Sequence, residues 1–569
     1  MKKLTFGTPE KLVPSAFCDG FCYEERPIGY NVDRIRFKST ARGCRLEFPM
    51  QEGEQIYGLG LQLKIFNLTH RQMVTRVNSD PISATGDSHA PVPFFVSTAG
   101  YGIYFDTARY VEFDFGRPRA GRPSQYEGER EIAISTETLY AQRELAGEVT
   151  IAVNIPAADG IDIYIIEGET LTDIVAQYNM LAGGGCTVPE WGLAPFYRCG
   201  SRYTQEQVVD TAKYLREHDM PVGILGLEPG WQTRAYSCSF VWNDNLYADP
   251  RAMVKELTDM GYHINLWEHC FTHPTSPIYP KIAGLHGDFE VWGGVVPDLS
   301  LPEVRRAFAD HHKKHVMLDT IDGFKLDECD GSDFINSSWS FPLCSEFPGG
   351  MDGQQYHSML GTLYMKTILE ALDGKPTLSS VRSAGALCAS YPFVLYSDLY
   401  DHKDFIRGLA TAGFSGILWT PELRDAKSAE ELIRRMQTIV FSPQCLINGW
   451  YCEKLPWLDH DCEAEIRELM EERVKLIPKL MAAFDRYHET GIPPVRALVS
   501  DYTSDPETYR IDDEYLFCDD MLVAPMVCGE HARRVYLPAG TWKDYYSDTV
   551  YEQGWIDVET DKIPVFVKQ

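Results

Sequence analysis

The stretch that decides the fold is residues 194–229, APFYRCGSRYTQEQVVDTAKYLREHDMPVGILGLEP. Two short apolar runs, APFYRCG and GILGLEP, flank a segment of helical periodicity that opens at Thr204, a residue type that caps helix N-termini. The order strand, helix, strand predicts two neighbouring strands of a parallel sheet that is covered by helices.

The same alternation continues along the chain until eight strand-like runs are present. They are APFYRCG, GILGLEP, HINLWEH, GFKLDEC, TLSSVRS, FVLYSDL, GILWTPE and CLINGWY. Helical segments lie between them, including TQEQVVDTAKYLREH, DPRAMVKELTDMG, LPEVRRAFADHHKKHVM, QQYHSMLGTLYMKTILEAL and SAEELIRRMQTIVF. Eight βα units in series predict an α/β fold, a (β/α)8 TIM barrel, which we assign to residues 189–494.

Strand patterns without helices flank the barrel on both sides. Short alternating runs such as RIRFKS, YGIYFDT and EVTIAVNI, with no convincing amphipathic helix, predict an N-terminal β-sandwich over residues 1–188. The runs YLFCDDMLVAPMV and KIPVFV predict a small C-terminal β-sandwich over residues 495–569. No low-complexity linker separates the three parts, so we expect one compact body.

Composition restricts the classes of partner. The 569 residues carry a formal net charge of -29, which repels phosphate backbones and anionic lipid surfaces, so we expect no nucleic-acid partner. No signal peptide and no run of about 18 apolar residues is present, which predicts no membrane partner and a cytoplasmic location. A homo-oligomer is compatible with the sequence and is left open.

The cysteines and histidines show no metal-binding pattern. Fifteen cysteines are scattered without a CxxC pair, which predicts reduced thiols, no disulfides and no structural metal. Glu268, His269 and His273 resemble a metal cluster, but no further ligand follows at a recognisable spacing. No cofactor motif is present either, so we expect no cofactor.

Polar groups follow nearly every predicted strand. In GFKLDECDG, residues 323–331, an apolar run gives way to three carboxylates within a few residues. One strand that ends in a polar turn is ordinary, but the same pattern at eight strands indicates a site, because TIM-barrel enzymes build their sites at the carboxyl ends of strands. The residues at these ends are Arg198, Glu228, Trp267, Glu268, His269, Asp327, Glu328, Arg382, Asp398, Trp419, Glu422 and Asn448.

Two reactions suit carboxylates in a barrel mouth. Glycoside hydrolysis uses one carboxylate against the sugar centre and a second, protonated carboxyl at the leaving oxygen. Enolase-like proton abstraction is the rival, but it requires Mg²⁺ on successive carboxylates together with a Lys or His base. Arg and Trp stand between the acids here, which favours a carbohydrate substrate.

The motifs resemble those of glycoside hydrolase family 31 over nearly the whole chain. YGLG and PFFVSTAGYGIYFDT are similar to the family's N-terminal sandwich motifs, and FKLDE is similar to its nucleophile strand. SVRSAGA resembles the Arg-Ser strand, and DDMLVAPMV, VYLPAGTWKDYYS and DKIPVFV resemble the C-terminal sandwich. The resemblance implies a retaining, exo-acting α-glycosidase that works by double displacement.

The resemblance also implies residue roles. Asp327 matches the nucleophile, and Asp398 in LYSDLYD matches the acid/base, although Ser397 stands where the family usually has Gly. Asp401 competes for the second role but suits a helix N-cap better. Arg382 is implied to bind the sugar and to lower the pKa of the nucleophile, with a structural salt bridge as the alternative.

The sugar pocket departs from the family's glucose-site pattern. Glu228 replaces the usual Asp, WTPELRD replaces the usual motif after strand seven, and Asn448 replaces the usual His. The glycone therefore stays open between α-glucosyl, α-galactosyl and α-xylosyl. We predict that further substrate contacts come from Trp267, Trp419, Glu422 and one N-terminal-loop residue, Asp87 or Asp80, with Trp231 and Trp450 as additional candidates for stacking on a sugar.

Two alternatives to hydrolysis remain at this point. An α-glucan lyase would share the nucleophile and the covalent intermediate, and a barrel that has lost catalysis could still bind sugars. A retaining mechanism places the two carboxyls about 5–5.5 Å apart, against about 6.5–9.5 Å for inversion. We therefore expect Asp327 and Asp398 to face each other across one pocket lined by Glu228 and Trp267.

Overall fold

The computed structural model describes residues 1–79, 83–116, 149–331, 340–398 and 401–569. Its centre is a curled parallel sheet of seven of the eight predicted barrel strands. The first six strands are hydrogen-bonded in chain order, and the eighth strand pairs with the first. In chain order, the strands that form this sheet are Phe196–Arg198, Ile224–Leu227, His263–Glu268, Gly323–Leu326, Ser379–Val381, Phe393–Leu395 and Leu446–Asn448. The predicted TIM barrel is confirmed.

The seventh predicted strand, residues 416–422, is not a regular strand. It joins its neighbours through two isolated parallel bridges, Leu395 to Trp419 and Leu423 to Ile447. Backbone bonds from Leu395 to the carbonyl of Leu418 (2.8 Å) and from Asn448 to the carbonyl of Leu423 (2.6 Å) accompany these bridges. The ring of strands therefore closes, but through a short and irregular seam.

Helices surround the barrel where the periodicity predicts them. The five predicted segments form Gln205–Glu217, Pro250–Asp259, Pro302–His311, Gly353–Leu372 and Ala429–Val440. The other barrel helices are His402–Ala412, Pro456–Asp459 and Glu463–Thr490. A two-stranded hairpin, His286–Val291 with Gly294–Pro297, follows the third barrel strand.

The N-terminal part is a pair of facing sheets. One sheet consists of Lys2–Gly7, Gly160–Glu167, Tyr101–Asp106, Pro91–Ser97 and Ile56–Gly60. The other consists of Arg36–Thr40, Gly43–Pro49, Thr150–Pro156, Val111–Phe115, Gln72–Val77 and Asp87–Ser88. Buried side chains such as Phe48, Phe105 and Ile163 fill the space between them. A helical turn, Pro14–Phe17, precedes the second strand in sequence.

The N-terminal part also contains one helix that the search for amphipathic segments did not predict. Helix Leu171–Leu181 begins at a capping box formed by Thr170 and Asp173, and eight of its eleven residues are buried. A helix that is covered on nearly all sides has no polar face, so its sequence lacks the amphipathic signal that we required.

The C-terminal part is again β-structure. One sheet contains Val495–Ala497, Tyr515–Phe517, Met521–Val523, Val565–Lys568, Trp542–Asp544 and Val550–Tyr551, and a separate pair contains Ala532–Leu537 and Gly554–Glu559. A helical turn, Leu498–Asp501, follows the first of these strands. Within the described ranges, no helix is both long and apolar enough to cross a membrane.

Candidate active site

A cavity of about 470 Å³ opens at the carboxyl ends of the barrel strands. Asp327 and Asp398 both line it, and Glu228 and Trp267 line it as expected. The aromatic residues Tyr236 and Trp450 stand at the same cavity, with 50% and 37% of their surfaces exposed. The mouth therefore combines carboxyl groups with aromatic surfaces, as sugar sites do.

Asp327 is held from two sides. The indole Nε1 of Trp267 donates to its Oδ2 at 2.7 Å, and the backbone N–H of Glu328 donates to its Oδ1 at 2.9 Å. Its backbone N–H donates to the carbonyl of Glu268 in the neighbouring strand at 2.8 Å. Trp267 thus orients a carboxylate as well as lining the pocket.

Arg382 joins the two predicted catalytic carboxyls. Its Nη1 lies 2.5 Å from Asp398 Oδ2 and 3.9 Å from Asp327 Oδ1. The separation of these two oxygens is therefore no more than the sum of the two distances. The two carboxyls therefore converge on one guanidinium nitrogen in one cavity.

The charges around Asp398 favour its ionised form. Burial alone would raise its pKa, but Arg382, Lys325 and Arg424 outweigh burial and hold the pKa of Asp398 well below its usual range. Arg424 also donates through Nη2 to the backbone carbonyl of Asp398 at 2.5 Å. These cations therefore favour the carboxylate form of Asp398.

A layer of buried charges forms the floor of the cavity. The Nζ of Lys325 lies 3.6 Å from Glu228 Oε1 and 3.5 Å from Glu422 Oε1. Arg198 also binds Glu228, and the side-chain amide of Asn448 donates to Glu422 at 2.5 Å. Burial disfavours the charge on Lys325, but its acidic neighbours, Glu228 first, raise its pKa. Glu228 thus reaches the cavity directly, whereas Glu422 lies beneath the cavity lining, where it pairs with Lys325 and accepts from Asn448.

Glu328 lies beside Asp327 in the cavity lining. Burial and then the charge of Asp327 raise its pKa well above the usual value, and Tyr236 hydrogen-bonds its side chain. Its backbone lies in the left-handed region, at φ 56°, where residues other than glycine are uncommon. Next to the candidate nucleophile the cavity therefore presents a carboxyl whose neutral form is favoured by burial and by the charge of Asp327.

Two of the predicted stacking tryptophans are core residues. Trp419 is 1% exposed, and its Nε1 donates to the carbonyl of Phe405 in the adjacent helix at 3.2 Å. Trp231 is fully buried, and its Nε1 donates to the carbonyl of Trp267 at 2.6 Å. The expectation that Trp419 binds substrate is therefore corrected, because its ring packs on the outer side of the barrel seam.

The N-terminal loop reaches the site through a residue other than the predicted one. Asp87 does not line the cavity, since Arg76 binds both of its oxygens at 2.7 Å within the N-terminal sandwich. We therefore withdraw Asp87 as a substrate contact, while Asp80 lies outside the described residues. Two residues beyond Asp87, the side chain of His89 contacts Asp330 and Ser397 instead.

Asp401 and Glu268, the other two candidates from the sequence, have structural contacts outside the cavity lining. Asp401 caps helix His402–Ala412, with its side chain accepting from the N–H of Asp404 at 3.0 Å, as predicted. Glu268 accepts from Tyr364 at 2.6 Å and pairs with His312 at 3.0 Å, which accounts for its burial.

Sequence reasoning assigned no role to Lys325, Arg424 or His89, although Lys325 stands two residues before Asp327 and strand alternation puts both on the same face.

Two carboxyls that converge at the mouth of a TIM barrel are the arrangement that glycoside hydrolysis requires. Matches to family models agree: a family 31 TIM-barrel domain over residues 186–483, a family 31 C-terminal domain over 491–569, and a glycosyl hydrolase 31 N-terminal galactose mutarotase-like domain over 20–114. The chain belongs to glycoside hydrolase family 31.

Individual relatives are distant. An α-xylosidase of Emericella nidulans is 23% identical, over 95% of this chain and 71% of the relative. Alpha-glucosidase 2 of Bacillus thermoamyloliquefaciens is 24% identical, over 91% and 67%. Among solved structures, a Flavobacterium johnsoniae GH31 dextranase in complex with glucose has a TM-score of 0.77 at 23% identity, over 94% of this chain and 67% of that one. A soil-metagenome GH31 α-xylosidase in complex with xylose also has a TM-score of 0.77, at 22% identity, over 94% and 81%. At these identities the structural likeness shows the fold.

Proposed function

We propose that this chain is a retaining, exo-acting α-glycosidase that hydrolyses terminal α-linked sugars by double displacement, with Asp327 as nucleophile and Asp398 as acid/base. The observation that carries the proposal is the convergence of both carboxyls on Arg382 Nη1 inside one cavity. Membership in family 31 supports it, and relatives named as α-xylosidases and α-glucosidases fit the same reaction class.

In the first step Asp327 attacks the anomeric carbon and Asp398 protonates the leaving oxygen. Because Arg382, Lys325 and Arg424 favour its ionised form, Asp398 has to gain a proton when substrate binds. A sugar hydroxyl that takes up Arg382 Nη1 weakens the ion pair that keeps Asp398 ionised, and 45% exposure of the Asp398 side chain gives solvent protons access.

In the second step the same residue works as a base. Formation of the glycosyl-enzyme removes the negative charge of Asp327, so Arg382 and Arg424 then act on Asp398 with less competition. The pKa of Asp398 falls again, which suits removal of a proton from the incoming water. One arrangement of arginines therefore serves both halves of the reaction.

The closed floor supports attack on chain ends. Glu228 and Lys325 line the cavity at its base, so a glycone that enters the mouth meets fixed charges there. These charges bind the hydroxyls of one terminal sugar. Because Glu228 and Asn448 stand where the family usually has Asp and His, we propose a glycone preference different from that of a maltose-cleaving enzyme.

A leaving-group comparison tests the two roles. Asp327→Ala and Asp398→Ala are each expected to lower kcat/KM about 10²–10⁴-fold on unactivated α-glycosides, as loss of a nucleophile or of general acid catalysis does. With a dinitrophenyl α-glycoside, whose leaving group needs no proton, Asp398→Ala should keep most of its kcat/KM and Asp327→Ala should not. Wild-type behaviour of Asp398→Ala on the unactivated substrate would refute the acid/base assignment.

A screen of aryl α-glycosides that differ only in the sugar identifies the glycone, with α-glucoside, α-galactoside and α-xyloside as the first three. An anhydro sugar among the products would indicate the lyase alternative. Binding without turnover of every aryl glycoside would indicate a sugar-binding barrel.

We also propose a cytoplasmic location, which cell fractionation tests. All fifteen cysteines are free thiols, and this supports a reducing compartment.

A further inference from the structure

A buried histidine of the N-terminal sandwich links the two catalytic loops. His89 precedes strand Pro91–Ser97 and is 0% exposed. Its Nδ1 lies 2.6 Å from Asp330 Oδ2, and its Nε2 lies 2.8 Å from the hydroxyl of Ser397. Asp330 is three residues after Asp327, and Ser397 immediately precedes Asp398. One imidazole ring therefore contacts both loops that carry the catalytic carboxyls.

The contact to Asp330 extends to Arg382. Asp330 Oδ2 accepts from His89 Nδ1 and also from Arg382 Nε, the latter at 2.8 Å. Asp330 is fully buried, so both donors act on it without competition from water. The two ring nitrogens of His89 are thus both engaged, Nδ1 with the carboxylate of Asp330 and Nε2 with the hydroxyl of Ser397.

The anchor on Nε determines where the other end of Arg382 points. The guanidinium is planar, so a bond from Nε to a fixed carboxylate sets the plane in which Nη1 lies. Nη1 is the atom that contacts Asp398 and approaches Asp327. Displacement of Asp330 therefore displaces the group on which both catalytic carboxyls converge.

The contact to Ser397 acts on the backbone. Ser397 stands where the family usually has Gly, a residue with no side chain to bond. In this chain its hydroxyl ties the segment before Asp398 to the N-terminal sandwich, across a sequence separation of 308 residues. The substitution thus adds an attachment point for the acid/base loop.

We propose that His89 is a positioning residue that holds Arg382 through Asp330 and the acid/base loop through Ser397, so that the N-terminal sandwich sets the spacing of the two catalytic carboxyls. The proposal rests on the proposed function, because it assigns His89 a part in the same reaction. The competing explanation is that His89 is a buried histidine with its hydrogen bonds satisfied and a role in stability alone.

The leaving-group dependence separates these explanations. A residue that only stabilises the fold lowers kcat/KM by one factor for every substrate, through the fraction of folded enzyme. A residue that positions the acid/base loop lowers kcat/KM more for an unactivated α-glycoside than for a dinitrophenyl α-glycoside, which needs no proton. We expect His89→Ala to lower kcat/KM for the unactivated α-glycoside about 10²-fold, as small displacements of catalytic groups do. For the dinitrophenyl α-glycoside the expected loss in kcat/KM is less than about tenfold.

Two milder variants test the Ser397 arm and keep the proposal falsifiable if His89→Ala fails to fold. His89→Asn keeps an N–H near the position of Nδ1 and so retains the Asp330 arm, while Ser397→Ala removes only the Ser397 arm. Both are expected to show the same leaving-group dependence with smaller losses, about tenfold on the unactivated substrate. The double variant should lose no more than His89→Asn alone, because both changes break the same contact.

His357→Asn is the matched control. His357 is also buried, at 1% exposure, and bonds the carbonyl of Phe341 through Nε2 at 2.8 Å, away from the site. It is expected to lower the melting temperature without a leaving-group dependence. If the His89 variants behave like His357→Asn, His89 is structural only and the proposal is overturned.

The outcomes also distinguish this proposal from the function on which it rests. Absence of activity in the wild type on every aryl α-glycoside, or full activity of Asp327→Ala, would overturn the function itself. An active wild type, an inactive Asp327→Ala and equal losses on both substrates for the His89 variants would leave the function standing and refute the positioning role.

Discussion

Replacing Arg382 by methionine is expected to destabilise the protein in a way that depends on pH. The substitution keeps much of the side-chain length and removes the cation that three carboxylates share. Arg382 lies 2.8 Å from Asp330, 2.5 Å from Asp398 and 3.9 Å from Asp327. The effect on each carboxylate follows from how far it is buried.

The pair with Asp330 dominates the expected loss. Asp330 is fully buried, and removal of one partner of a buried ion pair costs about 3–5 kcal/mol because the other charge is left uncompensated. Asp398 is 45% exposed at its side chain, so its pair with Arg382 contributes about 1 kcal/mol or less. At about 2 °C per kcal/mol for a large domain, the expected fall in melting temperature is about 6–10 °C near neutral pH.

The sign of the pH dependence follows from Asp330. Burial would raise its pKa, but Arg382 and His89 lower the pKa below the ordinary value, so in the wild type its contribution to stability is present above the unfolded pKa and is lost only in strong acid. Without Arg382, burial dominates and the folded pKa rises above the unfolded one. Protonation then stabilises the variant, so its deficit relative to wild type grows as the pH rises from 5 to 8.

The assay is thermal unfolding of wild type and Arg382→Met at pH 5 and pH 8. Arg496→Met is the control, because Arg496 is similarly buried and binds Asp501 through Nε at 2.7 Å and Nη2 at 2.6 Å, outside the barrel mouth. It should lose stability with the same pH trend but keep its kcat, whereas Arg382→Met should lose kcat as well. A deficit of equal size at pH 5 and pH 8 would refute the assignment of Arg382 as the counter-charge of a buried carboxylate.

Three further outcomes are expected. Wild type should cleave maltose poorly compared with its best aryl α-glycoside, and high maltose activity would contradict this. The double variant Glu228→Asp, Asn448→His should shift the ratio of kcat/KM values towards maltose. Trp450→Ala should raise KM for aryl glycosides about tenfold at nearly constant kcat, because the exposed Trp450 ring offers a stacking face at the cavity mouth. An unchanged KM would show that Trp450 does not contact the substrate. Glu328→Gln should retain kcat/KM within about threefold between pH 6 and 8. The reason is that burial and Asp327 raise the pKa of Glu328, and an amide resembles a protonated carboxyl. A loss of about 10²-fold in kcat/KM would mean that the reaction uses the ionised form of Glu328.

Local patterns in the sequence predicted most of the fold. Apolar runs that alternate with amphipathic segments gave the barrel, because strand and helix periodicities differ and each depends only on near neighbours. Asp401 was assigned correctly as an N-cap for the same reason, since a cap bonds backbone N–H groups two or three residues away. Helix Leu171–Leu181 was missed because its burial on nearly all sides depends on distant parts of the chain.

The site was predictable only in part. Strand ends meet in a barrel mouth, which placed Asp327 and Asp398 there, while their proposed roles came from the family resemblance. Trp419 was misplaced because one residue of alternation decides between the cavity and the outer helices. His89 carried no local signal, since its contact with Asp330 spans a sequence separation of 241 residues.

The irregular seventh strand makes one side of the barrel weaker than the rest. Residues 416–422 join their neighbours through isolated bridges, while the other barrel strands share continuous ladders. Where few backbone hydrogen bonds join a strand to its neighbours, the local unfolding that lets its amide protons exchange with solvent costs less free energy than in the core. The backbone at 416–422 should therefore exchange its hydrogens first among the barrel strands. This segment lies between the strand that leads to Asp398 and the strand that ends at Asn448, so an opening there would separate these two strands and leave the ladder of the nucleophile strand intact.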